Sequence, residues 1–585
     1  MHLHTHQAKD METHGRRRRR VAAVAWCSAI AMVLALVTPV AVAANYGDTA
    51  AKDNVAVVPM IAASVAAAAP SSVNVTAICM ATPYPSACET ALSSAAARGA
   101  ANDPFAASVQ FAMTRAASAR ALARNLSASS KNPRVTPNGM DDCAELLDIS
   151  LDQLHDALAA GDTDAASVTT WLSAALTNQG TCGDSLAAVP DPAARSAVRA
   201  RVGALEQFIG TALALHAKLN GGSATLPPPP SSPSPAPAPA PPNRAAFPSW
   251  VTKHDRHLLS SPASSITPDA VVALDGSGTH TRISDAIAAV MALAHHPTAT
   301  ATGGGRKVIY VKAGRYEENV SITSKQKNVM LLGDGKGKTV ISGHRSVAGG
   351  YTTYASATVA AMGSGFIAKG LTIVNSAGPG KGQAVALRVG GDLSVVYNCG
   401  IEAYQDTLYV HSNRQFYAAD DISGTVDFIF GNAAAVIQGC EIRARRPSPG
   451  QEDTITAQGR SDPNQNTGIS IHRCRITGAP DLGSTPVYLG RPWRRYSRTV
   501  VMGTFLDRSI APAGWLEWSG QFGLSTLYYG EYGNTGPGAG TRRRVTWSGV
   551  HTSMSTSDAT RFTVANFIVG DAWLPGTGVT YTSGL

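Results

Sequence analysis

Apolar and polar residues alternate in two different rhythms along this chain. Between residues 71 and 220, segments such as Ala144-Glu-Leu-Leu-Asp-Ile-Ser-Leu-Asp-Gln-Leu-His-Asp-Ala-Leu158 return an apolar residue every three or four positions, the period of a helix with one buried face. The spacing predicts an antiparallel helical bundle. After residue 260 the rhythm becomes short β-rich runs broken by glycine: Val308-Ile-Tyr-Val-Lys, Val329-Met-Leu-Leu-Gly, Phe366-Ile-Ala-Lys-Gly-Leu-Thr-Ile and Ala384-Val-Ala-Leu-Arg-Val. Such runs suit a sandwich, a propeller or a solenoid. Residues 227–242, alternating proline with serine and alanine, lack the N–H groups that helix or sheet needs and predict an extended linker over 221–259.

An internal repeat separates the β architectures. Cys-x-Ile occurs at Cys399-Gly-Ile401, Cys440-Glu-Ile442 and Cys474-Arg-Ile476, and Asp420-Asp-Ile422 fills the same slot, giving steps of 21, 20 and 34 residues. A period near 20 with one long excursion fits the coils of a parallel β-helix, where only the loops vary in length. Equivalent positions then sit on adjacent strands. Gln383, the Gln405-Asp406 pair and Asp427 recur at steps of 22, so they are expected in one column, with strands about 4.8 Å apart. Two carboxylates so close do not ionise together easily; one is expected to stay protonated as an acid and the other to act as nucleophile or base.

The 585 residues exceed one ordinary core, and 44% hydrophobic against 15% charged residues exclude a wholly disordered chain. The net charge of +9 narrows the partners once its position is considered. Arg16 to Arg20 precede an apolar stretch of 24 residues, Val21 to Ala44, which fits both a cleaved signal with Ala41-Val42-Ala43 at its end and a signal anchor. Either sends residues 45 onward into the secretory pathway. Residues 260–585 hold 29 Lys and Arg against 22 Asp and Glu; with no zinc-finger or RNP-type pattern, an acidic glycan is a better partner than nucleic acid. The histidines at 2, 4, 6 and 14 have no ligand geometry. In an oxidising compartment Cys79, Cys88, Cys143 and Cys182 can pair. Cys79 and Cys88 bracket a short turn, and Cys143 and Cys182 are far enough apart to tie two helices, so 79–88 and 143–182 are expected among the three connectivities possible. Sequons stand at Asn74, Asn125 and Asn319.

Five motifs occur in order: Gly314-Arg-Tyr-Glu-Glu318, Gln383-Ala-Val-Ala-Leu-Arg388, Tyr404-Gln-Asp-Thr-Leu-Tyr409, Gly424-Thr-Val-Asp-Phe-Ile-Phe-Gly431 and Leu489-Gly-Arg-Pro-Trp493. With them the chain resembles a plant pectin methylesterase. The segments Cys79-Met-Ala-Thr-Pro-Tyr-Pro-Ser-Ala-Cys88 and Trp171 to Cys182 resemble the inhibitor-like pro-region that precedes such enzymes. The resemblance implies a right-handed parallel β-helix over 260–585, preceded by an all-α four-helix bundle over 71–220 and a basic and apolar targeting region over 1–44. It implies hydrolysis of galacturonate methyl esters without metal or cofactor, with methyl-esterified homogalacturonan as substrate. Asp427 resembles the nucleophile and Asp406 the proton donor and later base. Gln405 and Gln383 would donate to the oxyanion, a contribution of about 3 kcal/mol for such a donor. Arg491 resembles the arginine that holds the nucleophile. Thr353 and Trp493 correspond to substrate-contacting positions, while Tyr409 and Phe430 form an aromatic cleft or pack the core.

Arg256-His-Leu-Leu259 stands where the family carries a basic processing site, so a processing protease, inhibitor proteins and a monomeric catalytic domain in the cell wall are further expectations. Where the family commonly pairs a cysteine with the one at Cys440, this chain has Asp420, so Cys440 is expected to be a free thiol or to find another partner. A lyase or polygalacturonase on the same kind of solenoid, and a non-catalytic inhibitor or pectin-binding protein, are the competing readings. The Asn-Thr-Asp and Gly-His-Gly pattern of polygalacturonases is absent, and both aspartates and both glutamines are retained.

Overall fold

Burial dictates where each rhythm goes. In the helical region the apolar stripes face inward: Met140, Cys143, Leu146, Leu147, Leu154 and Ala157 on one helix are each at most 2% exposed. The computed structural model describes residues 74–96, 103–129, 139–220, 266–294 and 305–585. The targeting segment, the proline-rich linker and Arg256–Leu259 lie outside the described residues. Two short helices, α1 (Val75–Cys79) and α2 (Pro85–Ala96), precede four long ones, α3 (Pro104–Ser129), α4 (Gly139–Ala160), α5 (Ala165–Ser185) and α6 (Pro192–Leu219). Their starts are chemically marked. Asp164 accepts the Ser167 N–H ahead of α5, and Asp191 accepts those of Ala193 and Ala194 ahead of Pro192, the first residue of α6. Disulfides join Cys79 to Cys88 and Cys143 to Cys182, the latter tying α4 to α5. No described helix is long and apolar enough to cross a membrane.

Residues from 270 onward wind into stacked coils whose strands form three parallel sheets of eleven, seven and eight strands. In the eight-stranded sheet the isoleucines of the repeat stack as Ile373, Ile401, Ile422, Ile442 and Ile476, with Leu506 below, all fully buried. Helix α7 (Ile283–Ala294) covers the first coils with Ile283, Ile287 and Val290. The solenoid's two apolar cores are built entirely from residues 266–585, so it encloses its interior without the bundle.

Each coil turns into the eight-stranded sheet through one residue in the left-handed region: Gly370, Asn398, Ala419, Gly439, Arg473 and Gly503. At such a corner the next residue's N–H needs an acceptor. The following coil supplies it from a side chain. Cys399 N–H donates to Asp420 Oδ1 at 2.7 Å, Asp420 N–H to Cys440 Sγ, Cys440 N–H to Cys474 Sγ, Cys474 N–H to Thr504 Oγ1 and Thr504 N–H to Asn534 Oδ1. Asp420 is thereby accommodated as an acceptor in this column. It is fully buried, and its Oδ2 makes no hydrogen bond. Cys399, Cys440 and Cys474 are free thiols. The Asn319 amide is engaged on the Ala357 carbonyl, which disfavours a glycan there.

Burial, reinforced by Cys440, pushes the Asp420 carboxyl well above its usual range. A raised folded-state pKa contributes stability that is complete below the unfolded value, about 3.9, and is lost as pH rises through the folded value. Asp420→Asn keeps the shape and cannot ionise. Relative to wild type, the variant should be more stable at pH 7 and no more stable at pH 3.5, read from thermal melts of the full chain. Parallel stability profiles for the two proteins would contradict the protonated carboxyl.

Candidate active site

The seven-stranded sheet presents a row of outward positions in strict register: Arg388, Tyr409, Phe430, Ala457 and Arg491. Tyr409 stacks on Phe430 at 4.2 Å between ring centroids, and Trp493 meets both edge-on. Gly459 permits that placement, since a Cβ there would lie 2.8 Å from the Trp493 ring. The two aromatic side chains are each 3% exposed, so they both line a cleft and share an apolar cluster with the bundle.

Asp406 and Asp427 enter this sheet at equivalent corners, with φ of 65° and 54°, a region L-residues seldom adopt and aspartate tolerates better than most. The register between their coils, Leu408 on Ile429, makes the step 21 rather than 22. Leu387 on Leu408 gives 21 again, so Gln383 and Gln405 are one residue out of register with each other, and the column of 22-residue steps is corrected. All four residues nevertheless line one cavity of about 530 Å³, together with Thr353, Tyr409, Phe430, Arg491 and Trp493.

Asp427 is held by two side chains, Arg491 and Thr454. Arg491 donates from Nε to Oδ1 at 2.8 Å and from Nη2 to Oδ2 at 2.6 Å, a fork-on-carboxylate geometry. Thr454 donates its hydroxyl to Oδ1 at 2.6 Å, and the same hydroxyl accepts the Asp427 N–H at 2.8 Å. Arg491 in turn stacks on Trp518 at 4.5 Å. Asp406 is 6% exposed; burial first, then the charge of Asp427, push its carboxyl well above the usual range. The arrangement is an acid beside an anchored carboxylate.

Residues 71–585 form one compact unit, and the bundle covers this site. Thr181, Asp184 and Ser185 at the end of α5 line the same cavity. The Thr181 hydroxyl lies 3.3 Å from Tyr409 Oη and 3.0 Å from His411 Nε2, and burial pushes His411 down to about 3, leaving a neutral ring. Arg494 Nη2 donates to both oxygens of Asp184 at 2.5 and 2.6 Å. Asp142 accepts the Thr352 hydroxyl and is pushed up to about 6, chiefly by burial. Thr454, Trp518, Thr181 and Asp184 are absent from the sequence expectations. Thr454 stands 27 residues after Asp427, beyond a long loop that breaks the period, and the bundle contacts join positions hundreds of residues apart.

The Pectinesterase family model matches residues 269–571, and that of Plant invertase/pectin methylesterase inhibitor matches residues 73–215. The chain belongs to the pectinesterase family, hydrolases of carboxylic esters. It is 50% identical over 492 residues to Probable pectinesterase/pectinesterase inhibitor 16 of Arabidopsis thaliana, covering 82% of this chain and 88% of that one. It is 47% identical over 485 residues to Pectinesterase 2 of Citrus sinensis, with 82% and 88% covered. A solved pectin methylesterase from carrot is 54% identical with a TM-score of 0.52, and 55% of this chain accounts for 99% of it. A portion the size of the solenoid therefore stands folded alone in that relative.

Thr454→Val removes both bonds of one hydroxyl to Asp427. In residues 260–585, kcat for methanol release should fall about tenfold or more, the scale of one charge-assisted hydrogen bond, while Thr454→Ser stays near wild type. A valine variant with undiminished kcat would show that Arg491 alone positions the carboxylate.

Proposed function

We propose that Asp427 attacks the C6 carbonyl of a methyl-esterified galacturonate in homogalacturonan. The observation that carries this reading is the sharing of one cavity by two buried aspartates, one gripped by Arg491 and Thr454 and the other held protonated. Attack forms a tetrahedral intermediate whose oxyanion accepts hydrogen bonds from the Gln383 and Gln405 amides. Its collapse breaks the C6–methoxy bond, the Asp406 proton passes to the leaving oxygen, and methanol departs. An anhydride then links Asp427 to C6. Asp406, now ionised, takes a proton from water; the resulting hydroxide attacks C6, breaking the bond to Asp427 and restoring both aspartates, and the uronic acid released loses its proton to solvent. Tyr409, Phe430 and Trp493 offer apolar faces to sugar rings, and Thr353 a hydroxyl at the cleft's rim.

In this reading the bundle blocks the cleft of the precursor, since α5 supplies part of the cavity wall. Cleavage by a processing protease near Arg256–Leu259 frees an enzyme beginning at about Ser260, in the secretory route to the cell wall. Free inhibitor proteins of the same helical family would dock on the same face.

The test is methanol release from highly esterified pectin. Residues 260–585 should release methanol faster than the full chain, and Asp427→Asn should lower release by a factor of about 10³ or more, as loss of a nucleophile does. Undiminished release by the asparagine variant would overturn the mechanism, and an unsaturated product absorbing in the ultraviolet would indicate a lyase.

A further inference from the structure

Arg445 joins three successive coils at the corner that leads into Gln405 and Asp406. Its N–H donates to the Gly424 carbonyl on the preceding coil at 2.7 Å. Its side chain passes that coil and reaches the one before it. Nη1 donates to the Ala403 carbonyl at 2.9 Å and Nη2 to Tyr404 Oη at 2.8 Å, with the guanidinium carbon 4.0 Å from the Tyr404 ring centroid. Arg443, two residues earlier, faces the carboxylates of Asp421 and Glu441, the ordinary pairing of a surface arginine. Arg445 instead directs its fork at a carbonyl and a phenol, neutral acceptors that a guanidinium holds by charge-assisted bonds.

The two residues so held come directly before the pair that lines the cavity, Gln405 and Asp406, while Arg445 itself lies outside the lining. Bonds along the stack fix the rest of this corner. The Tyr404 carbonyl accepts the Thr425 N–H and the Thr407 hydroxyl, each at 3.0 Å, the Gln405 carbonyl accepts the Ala384 N–H at 3.2 Å, and the Asp406 N–H donates to the Val426 carbonyl at 3.1 Å. The Ala403 carbonyl and the half-buried Tyr404 side chain are held by Arg445. An oxyanion donor acts only if it already points at the developing charge, to within about 0.5 Å.

We infer that Arg445 is a positioning residue for ester hydrolysis: by clamping Ala403 and Tyr404 from two coils away, it holds the Gln405 amide where the oxyanion forms, without touching substrate. The inference rests on the proposed role of Gln405, and the experiment separates the two.

kcat and KM for methanol release are measured in residues 260–585 carrying Arg445→Gln, Gln405→Ala or both, with a thermal melt of each. Gln405→Ala should lower kcat by about 10²-fold or more, the loss of one oxyanion donor. Arg445→Gln should lower kcat about tenfold, short of the roughly 10²-fold that a misplacement of about 1 Å produces, with KM within about twofold. The double variant should be no slower than Gln405→Ala, because an arginine that acts through Gln405 then has nothing left to position. Arg445→Lys, which reaches one acceptor and cannot form the fork, should fall between wild type and Arg445→Gln. If the glutamine variant melts below the assay temperature, Arg445→Lys with and without Gln405→Ala completes the same cycle. Losses that multiply in the double variant, or an undiminished kcat in Arg445→Gln, overturn the positioning role. An undiminished kcat in Gln405→Ala removes Gln405 from the mechanism, and the inference falls with it.

Discussion

Everything in the solenoid depends on what happens to one N–H at each corner. A coil that turns through a left-handed residue directs the next amide away from its own strand, and an unpaired buried amide is expensive. Here the side chain one coil further on accepts it, through Asp420, Cys440, Cys474, Thr504 and Asn534 in turn. Because the acceptor must sit at the same corner of the next coil, the constraint locks register while leaving loop length free. Steps of 21, 20 and 34 residues therefore stack equally well. The slot requires an acceptor and tolerates several chemistries, which is why a carboxyl fits among thiols once it is protonated.

The same locking places the chemistry. Asp406 and Asp427 occupy matching left-handed corners of successive coils, so their proximity is a property of the stack, requiring no loop to close. What distinguishes them is what each coil further on provides. Asp427 has Thr454 on the next strand and Arg491 on the one after, whereas burial and the neighbouring charge dominate at Asp406. Two chemically identical groups are thus split into an acid and an anchored carboxylate by their position relative to the end of the aromatic row. Ala457, between Phe430 and Arg491 in that row, is small enough to leave the arginine room to turn back.

Much of this was legible in the sequence, for a physical reason. Periodicity survives wherever coils have equal length, so the Cys-x-Ile slot, including Asp420, predicts the observed column residue by residue. The family motifs likewise identify residues that converge on one cavity. The step of 22 fails by one because side chains near a corner reach a common cavity from neighbouring register positions, so equal spacing of glutamines does not report strand pairing. Thr454 escapes because the loop before it lengthens the coil, and no spacing rule survives an irregular loop.

The bundle's footprint is the part least legible, and it follows from the surface that the bundle covers. A surface built to take a polyanion with apolar ring faces offers guanidinium groups, hydroxyls and aromatic edges. Any cover for it must answer with carboxylates, hydroxyls and small side chains. The contacts have that composition: Asp184 on Arg494, Asp152 on Lys325, Asp142 on Thr352, Thr181 on Tyr409 and His411, and Thr177 on Asn432. An interface of this kind is polar and partly wet, and the buried bundle carboxyl Asp142 is raised to about 6. Ionisation of that group costs the closed form stability as pH rises from about 4 through its folded value. A seal of this kind combines these polar pairs with the apolar cluster that Tyr409 and Phe430 share with the bundle.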